Sequence, residues 1–447
     1  MKTFNPGGVH PKENKLSQKQ TIELFPVPGK VFIPLAQNLG LPPVLMVDKG
    51  SEVKVGQLIA KGQAFISANL HSSVSGKVSR IDDVTDQSGY RRKTIIIDVE
   101  GDDWDDSIDR SLDLITACQL SSEEIIQKIK EMGVVGFGGA AFPTHVKLMI
   151  PPGRKVEHLI INGAECEPFL TCDHRLMLER GEEILAGTLI MLKALKITRA
   201  FIGIENNKPD AIVHFKKIAG GFQNGVDVSI VALKTKYPQG GEKQLIKAIA
   251  NREVPSGKLP LDVGCIVQNV GTAVAVYEAV QKNKPFFERV VTVTGLTLKK
   301  PSNYLVRIGT PVSELIEASG GLPTGTAKVI SGGPMMGKAL NSLDVPVVKG
   351  MSGILLLPEI ITGRIPQLNC IRCARCISVC PMGLEPVLIA QLSERARWDD
   401  AEHSNVLDCT ECGSCHYTCP SGRPLLDNLR LGKNKVGQIV RSRKKNN

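Results

Sequence analysis

The sequence predicts a multidomain chain of mixed α/β and α+β architecture, β-rich near its start and helical and cysteine-rich at its end. Three observations carry that expectation. At 447 residues the chain exceeds one comfortable core, and 42% hydrophobic with 22% charged residues is an ordinary folded composition. Residues 44–82 are strand-like runs separated by Lys-Gly and Ser-Gly turns, while 121–163 pass from a helical period to a strand. Finally, eight of the 12 cysteines fall between 370 and 419, a concentration that a disulfide framework would not produce.

Several function classes are excluded early. No stretch approaches the ~18–20 uninterrupted apolar residues needed to cross a bilayer. The opening MKTFNPGGVHPKENK has no apolar core, so no secretory leader is expected, and a cytoplasmic or peripheral protein is. A net charge of +10 invites nucleic acid, but aromatics are only 4% and no nucleic-acid motif is present, so no nucleic-acid partner is expected. Much of the excess charge sits in a basic tail, 431–447, expected to be solvated and frayed. The competing expectation is that the tail docks on an anionic membrane face or an acidic partner.

The cysteines come in two stretches, CIRCARCISVCP (370–381) and CTECGSCHYTCP (409–420), each reading C-x2-C-x2-C-x3-C-P. This is an internal repeat with two-cluster ferredoxin spacing. Three thiolates at x2 spacing curl around one iron–sulfur cube, and the fourth reaches the other cube. Cys370, Cys373, Cys376 and Cys419 are therefore assigned to one [4Fe–4S] cluster. Cys409, Cys412, Cys415 and Cys380 are assigned to the second. Zinc knots space their ligands in pairs across a long gap, unlike either copy. Between the copies, Val387, Leu388 and Leu392 follow a helical period.

Upstream lies GFGGAAFPTHVK (136–147), whose first six residues spell G-x-G-x-x-G/A. A dinucleotide fingerprint must follow a strand and open a helix. Here SSEEIIQKIKEM precedes it, with Ser121 and Glu124 as a capping box and Ile125, Ile126, Ile129 and Met132 at helical spacing. Pro143 argues against a helix opening at the loop. Glycines can still bring backbone amides close to a phosphate, with Lys147 as a point charge. The strand expected at 156–163 ends in NGAECEP, where Asn162, Glu165 and Glu167 suit a polyol or ribose.

Taken together, GFGGAAFPTHVK and NGAECEP resemble the flavin-binding core of the NADH-oxidising flavoprotein subunit of respiratory complex I and its relatives. YPQGGEK (237–243) and VQNVGTAVAVYEAV (267–280) extend that likeness. With GGVHP (7–11) and the two ferredoxin motifs added, the chain resembles the C subunits of Rnf-type ion-translocating ferredoxin:NAD oxidoreductases over almost its whole length. The resemblance implies FMN held at phosphate and ribityl by Gly136, Gly138, Gly139 and Lys147. Asn162, Glu165 and Glu167 would continue the pocket, and Tyr237, Gly240, Asn269 and Thr272 would complete it. Phe142 and Glu242 would face the nicotinamide nucleotide. The lone Glu242 after Gly241 departs from the paired acids of complex I, and Cys166 stands where serine is usual, as a spectator thiol.

The flanking parts follow. The resemblance and the strand pattern give an N-terminal barrel-sandwich-like domain at 1–105. The lysine of a swinging arm is missing from SANLHSS, so this domain reads as a scaffold, with His71 structural or interfacial and Asp102, Asp103, Asp105 and Asp106 as a solvated boundary. A complex-I-flavoprotein-type α/β FMN domain follows at 115–284 and a β-grasp (SLBB-like) domain at 285–352. A helical two-[4Fe–4S] ferredoxin-like domain is expected at 360–430.

The implied function is that of a peripheral electron-transfer subunit on the cytoplasmic face of a bacterial membrane. FMN would exchange a hydride with the substrate NAD(H) and single electrons with two [4Fe–4S] clusters. Membrane-embedded subunits of the same complex would be the partners, and electrons from ferredoxin would arrive through one of them. Two alternatives stay open: a soluble flavin/iron–sulfur reductase such as a cobalamin reductase, and a non-catalytic electron relay.

Overall fold

The computed structural model describes residues 1–222, 225–363 and 366–446. A four-stranded antiparallel sheet orders Lys30–Pro34, Arg91–Val99, Gly76–Thr85 and Glu52–Val53. It faces a three-stranded sheet of Val44–Leu45, Leu58–Lys61 and Leu70–His71. The period of two turns Val31, Ile33, Ile95 and Ile97 inward onto Ile59, Leu70 and Val78, which closes a sandwich around one core.

The hairpin that would carry a swinging lysine is instead a junction. Arg307 donates to the Ser73 carbonyl at 2.7 Å. Lys349 Nζ joins the carbonyls of Asn69 and Gly133 at 2.9 and 2.7 Å. Burial, reinforced by Lys349, holds the His71 imidazole down at about 3, so it is neutral. Of the expected boundary acids, Asp102 accepts from the Trp104 indole and pairs with Arg307, while Asp103 donates its amide to Ser75. Asp102, Asp103 and Asp106 stay exposed at this boundary, which Arg307 also contacts through Asp102.

The central domain is doubly wound. Four parallel strands lie in the order Asp227–Leu233, Arg199–Glu205, His158–Gly163 and Cys265–Asn269. Leu159, Ile161, Ala200 and Ile202 pack under Gly181–Leu195 and Val270–Gln281, and Ile160, Leu233 and Val267 pack under Glu242–Ala250. A parallel sheet covered on both faces needs such continuous apolar runs. The two helices on the first face touch at Gly187, where a Cβ would stand 1.9 Å from the Ala273 carbonyl oxygen. The strand order reverses between His158–Gly163 and Cys265–Asn269, and the crevice at their carboxyl ends is where such sheets bind ligands.

A mixed six-stranded sheet follows, in the order Ile22–Leu24, Ser302–Arg307, Glu288–Gly295, Gly353–Pro358, Thr326–Ser331 and Lys338–Ala339. Two of its strands lie outside the expected boundaries of 285–352. GILLLP (353–358) is apolar on both faces and fills the centre, between Glu288–Gly295 and Thr326–Ser331. Ile22–Leu24 arrives from the amino terminus and pairs in parallel with Ser302–Arg307.

The last module is helical: Arg375–Ser378, Pro386–Glu394, Trp398–His403, Ser414–Tyr417 and Leu425–Asn446. The expectation of a frayed basic tail is corrected here. Leu425, Leu429 and Val436 are buried against Ile389, Ala401 and Val406, and Arg443 pairs with Asp399 and Glu402. The basic residues are the outer face of an amphipathic helix whose apolar stripe needs cover. No helix among the described residues is long and apolar enough to cross a membrane.

Candidate flavin and iron–sulfur sites

The glycine loop follows the helix Ser122–Glu131, whose Ser121–Glu124 capping box is present in both directions. The loop closes on itself where the Gly136 amide donates to the Phe142 carbonyl at 2.9 Å. Pro143 then stands at the N-cap of a short helix, Thr144–Leu148, which corrects the expectation that it bars one. Proline is tolerated there because the N-cap amide lies outside the helix's own hydrogen bonds.

Phe137, not Phe142, anchors the loop. Its ring is buried and stacked on Phe286, with centroids 4.5 Å apart, and its amide donates to the Thr272 hydroxyl at 3.0 Å. Thr272 is fully buried and holds the loop from behind. Gly138, Gly139 and Ala140 are left exposed. Gly139 has φ +85° and nothing within 4 Å of where a Cβ would stand. This is an open run of backbone amides, and among the described hydrogen bonds none of the three donates to the protein.

Lys147 Nζ reaches Glu242 at 2.7 Å and the Val267 carbonyl at 3.1 Å, so the expected phosphate and nicotinamide residues stand side by side. Asn162 and Asn269 are register partners on adjacent strands at the reversal point. Asn162 Nδ2 donates to the Gly240 carbonyl at 2.9 Å, and the Gly240 amide meets the Cys166 sulfur at 3.3 Å. Asn269 caps the helix Val270–Gln281 through the Gly271 amide and donates to Asp173 at 2.7 Å. Asp173 returns its amide to Glu165 at 2.7 Å. Burial and the Glu165 carboxylate raise the Asp173 pKa.

Glu167 and Tyr237 stand apart from this group. Glu167 accepts the Met335 and Met336 amides at 3.1 and 2.8 Å, which fixes the SGGPMMG turn of the β-grasp domain. Burial pushes its pKa up to about 7, against the pull of those two amides. The Tyr237 hydroxyl donates to the Cys412 carbonyl at 2.8 Å. Both residues therefore face the junction with the cysteine module. Sequence reasoning passed over several residues that shape the site: Phe137, Asp173, Lys15, and Gln244, which donates to the Pro381 carbonyl at 3.3 Å. Their signal was weak, since each is an ordinary residue made important by a contact far away in sequence.

The cysteines divide into two groups. Cys380, Cys409, Cys412 and Cys415 line one cavity, with Leu384, Leu426 and Leu429 around them. Burial raises the Cys409 thiol to about 11; Lys433 opposes this, and neighbouring Cys412 and Cys380 add to it. Four thiolates gathered in an apolar cavity repel one another unless cationic iron neutralises them, so the donor set fits a [4Fe–4S] cube. Cys376 feels Cys419 as its cysteine neighbour, while Cys370 and Cys373 are exposed. The open amide loop beside Lys147 likewise fits a phosphate-bearing flavin.

Fold and sites together define a flavin- and iron–sulfur-dependent electron-transfer protein. Four family models match in order: an RnfC barrel sandwich hybrid domain at 2–102, a Nuo51 FMN-binding domain at 129–278, an SLBB domain at 290–339 and a 4Fe-4S dicluster domain at 363–420. The chain is 47% identical to the C subunit of the proton-translocating ferredoxin:NAD(+) oxidoreductase complex of Clostridium ljungdahlii, over 97% of this chain and 94% of that one. It is 42% identical to the Na(+)-translocating counterpart of Acetobacterium woodii, over 99% of this chain and 98% of that one. A solved chain of an NAD+-reducing [NiFe]-hydrogenase shares the fold, with TM-score 0.50 and 18% identity over 71% of this chain and 63% of that one. The chain belongs to the family of C subunits of ion-translocating ferredoxin:NAD(+) oxidoreductase complexes.

Proposed function

We propose that this chain is the peripheral electron-transfer subunit of a membrane-bound, ion-translocating ferredoxin:NAD+ oxidoreductase. The carrying observation is the hydrogen bond from Tyr237, on the flavin domain, to the backbone of Cys412 inside the four-cysteine cavity. That contact supports a cluster site lying directly against the nucleotide-binding unit. FMN, when bound, exchanges a hydride with NAD(H) and single electrons with the clusters. The protein's part is to bind, orient and insulate.

The amides of 138–140 and the Lys147 ammonium hold the phosphate. Asn162, Asn269 and Glu165 line the polyol side of the crevice. Glu242 and Phe142 meet the nicotinamide nucleotide at the open side, and Lys147, shared with Glu242, links the two sites. Cys380, Cys409, Cys412 and Cys415 hold the inner cluster. Cys370, Cys373, Cys376 and Cys419 would hold the outer one, on the side open to partner subunits. Attachment to the cytoplasmic face of the membrane rests on membrane-embedded subunits of the complex, since the described helices supply no span.

The names of the near-full-length relatives favour this reading over a soluble reductase. The open loop with Lys147 intact favours it over a relay without flavin. The test is anaerobic purification of the native complex, followed by acid release of flavin and NADH titration. FMN released from the folded chain and NADH-dependent bleaching of both clusters are expected. Absence of releasable FMN, or purification without any multi-span partner, would overturn the reading.

A further inference from the structure

The amino-terminal segment, with its GGVHP motif, makes its contacts outside the barrel sandwich. Its backbone joins the flavin sheet where Lys234 donates to the Lys2 carbonyl at 2.9 Å, and the Lys2 ammonium reaches the Ile249 carbonyl at 2.8 Å. Val9 and Tyr237 exchange both amide hydrogen bonds, at 2.8 and 2.9 Å. Between these anchors, the Gly8 amide donates to the Val379 carbonyl at 2.9 Å. Further on, the Lys15 ammonium collects the carbonyls of Glu165, Glu167 and Leu170 at 2.8, 2.9 and 2.7 Å.

Two glycines make this path possible. Gly7 has φ +75°, and a Cβ there would lie 2.5 Å from both the carbonyl carbon and the oxygen of Cys380. Gly8 has φ +95°, and a Cβ there would lie 2.4 Å from Lys236 Cε and 3.0 Å from the Tyr237 carbonyl oxygen. Both positions combine a left-handed backbone with an approach that leaves no room for a side chain. The segment thus touches, in order, the flavin sheet, the backbone of a cluster ligand, the backbone of Tyr237, and the loop carrying Glu165 and Glu167.

We propose that residues 2–15 form a strap that positions the Cys380 end of the cluster module against the flavin domain, with Gly7 as the positioning residue that sets the approach. This rests on Cys380 being a ligand of the inner cluster. The strap does no chemistry; it fixes the gap that electrons cross. Electron transfer between fixed centres slows as the gap between them widens, so a displaced Cys380 end would slow the step without altering either cofactor.

The test uses the full-length, flavin- and cluster-loaded chain carrying Gly7→Ala. Rapid mixing with NADH follows flavin bleaching and cluster reduction separately. Electron paramagnetic resonance checks both clusters, and hydrogen exchange reads the Val9 and Tyr237 amides. The expected result is flavin reduction at the unsubstituted rate, both cluster signals and their mutual coupling retained, and faster exchange at Val9 and Tyr237. Electron passage from flavin to cluster should then be slower by a few-fold or more. A merely structural role would loosen barrel amides as well and leave passage unchanged.

Passage at the unsubstituted rate with both signals present would overturn the proposal. If Gly7→Ala loses a cluster signal, Gly8→Ala decides in its place, because its added carbon meets Lys236, Phe4 and Tyr237 but no ligand backbone. Slowed passage there supports the strap and unchanged passage overturns it. Failure of the ligand reading is separate: it shows as Cys380→Ser and Cys370→Ser damaging the same centre.

Discussion

Cys370, Cys373 and Cys376 sit on an outward turn, two of them exposed, whereas Cys409, Cys412 and Cys415 line a cavity closed by Leu384, Leu426 and Leu429. The spelling of the two repeats is the same, C-x2-C-x2-C-x3-C-P, so their ligation chemistry is the same. Their surroundings are not. Tyr237 and Gln244 of the flavin domain reach the second repeat and the turn at Pro381, and Lys433 of the last helix donates to the Cys409 carbonyl at 2.6 Å. Equal motifs thus acquire different places in a path through their packing partners.

The comparison breaks most visibly by removing one ligand from each side. Cys412→Ser should abolish the inner cluster and stop passage from flavin to the outer cluster. Cys373→Ser should abolish only the outer cluster and leave flavin-to-inner transfer intact; paramagnetic resonance with rapid mixing reads both. Next in size is the flavin side. Lys147→Met removes a charged donor whose hydrogen bonds are typically worth about 1.5–3 kcal/mol, so FMN should bind about 10- to 100-fold more weakly, read by flavin fluorescence on dilution.

A third expected effect concerns pH. Burial holds Glu167 at about 7 against an ordinary value of 4.5, so the folded state favours its protonated form. The stability this group contributes is full below pH 4.5 and is lost as pH rises through about 7. The loss is on the order of 3 kcal/mol. Glu167→Gln should flatten that part of the stability–pH curve in denaturant unfolding. Tyr237→Phe should cost about 1–2 kcal/mol by leaving the buried Cys412 carbonyl without its donor, and should slow flavin-to-cluster passage while sparing flavin reduction. At the small end, Arg443→Ala breaks exposed pairs with Asp399 and Glu402 and should change thermal stability by less than about 1 kcal/mol.

What the sequence revealed, and what it hid, follows the range of the interactions involved. The capping box at Ser121, the strand that carries Asn162 and the cysteine repeats are set by neighbours a few residues away, and they were legible. The burial of Val436 was not, because the charges of 431–447 dominate that stretch and its apolar partners lie elsewhere in the module. Ile22–Leu24 carries no mark of the β-grasp sheet it joins at Asn303. Lys15 and Gly7 look like polar, turn-prone residues until the carbonyls they meet are seen. Glu167 reads as a polyol ligand because it follows Glu165 by two, yet its carboxylate turns to the Met335 and Met336 amides. Contacts between domains have no local period, and they decide how the sites face one another.

The most direct test of the inner and outer assignment is the paramagnetic resonance spectrum of Cys380→Ser reduced with dithionite, which reaches each cluster without passing through the flavin. Crossed ligation predicts loss of the signal that Cys409→Ser also loses, with the signal lost in Cys370→Ser still present. Loss of the Cys370-dependent signal instead, with the Cys409-dependent one intact, would contradict the crossed ligation and the inner site built on it.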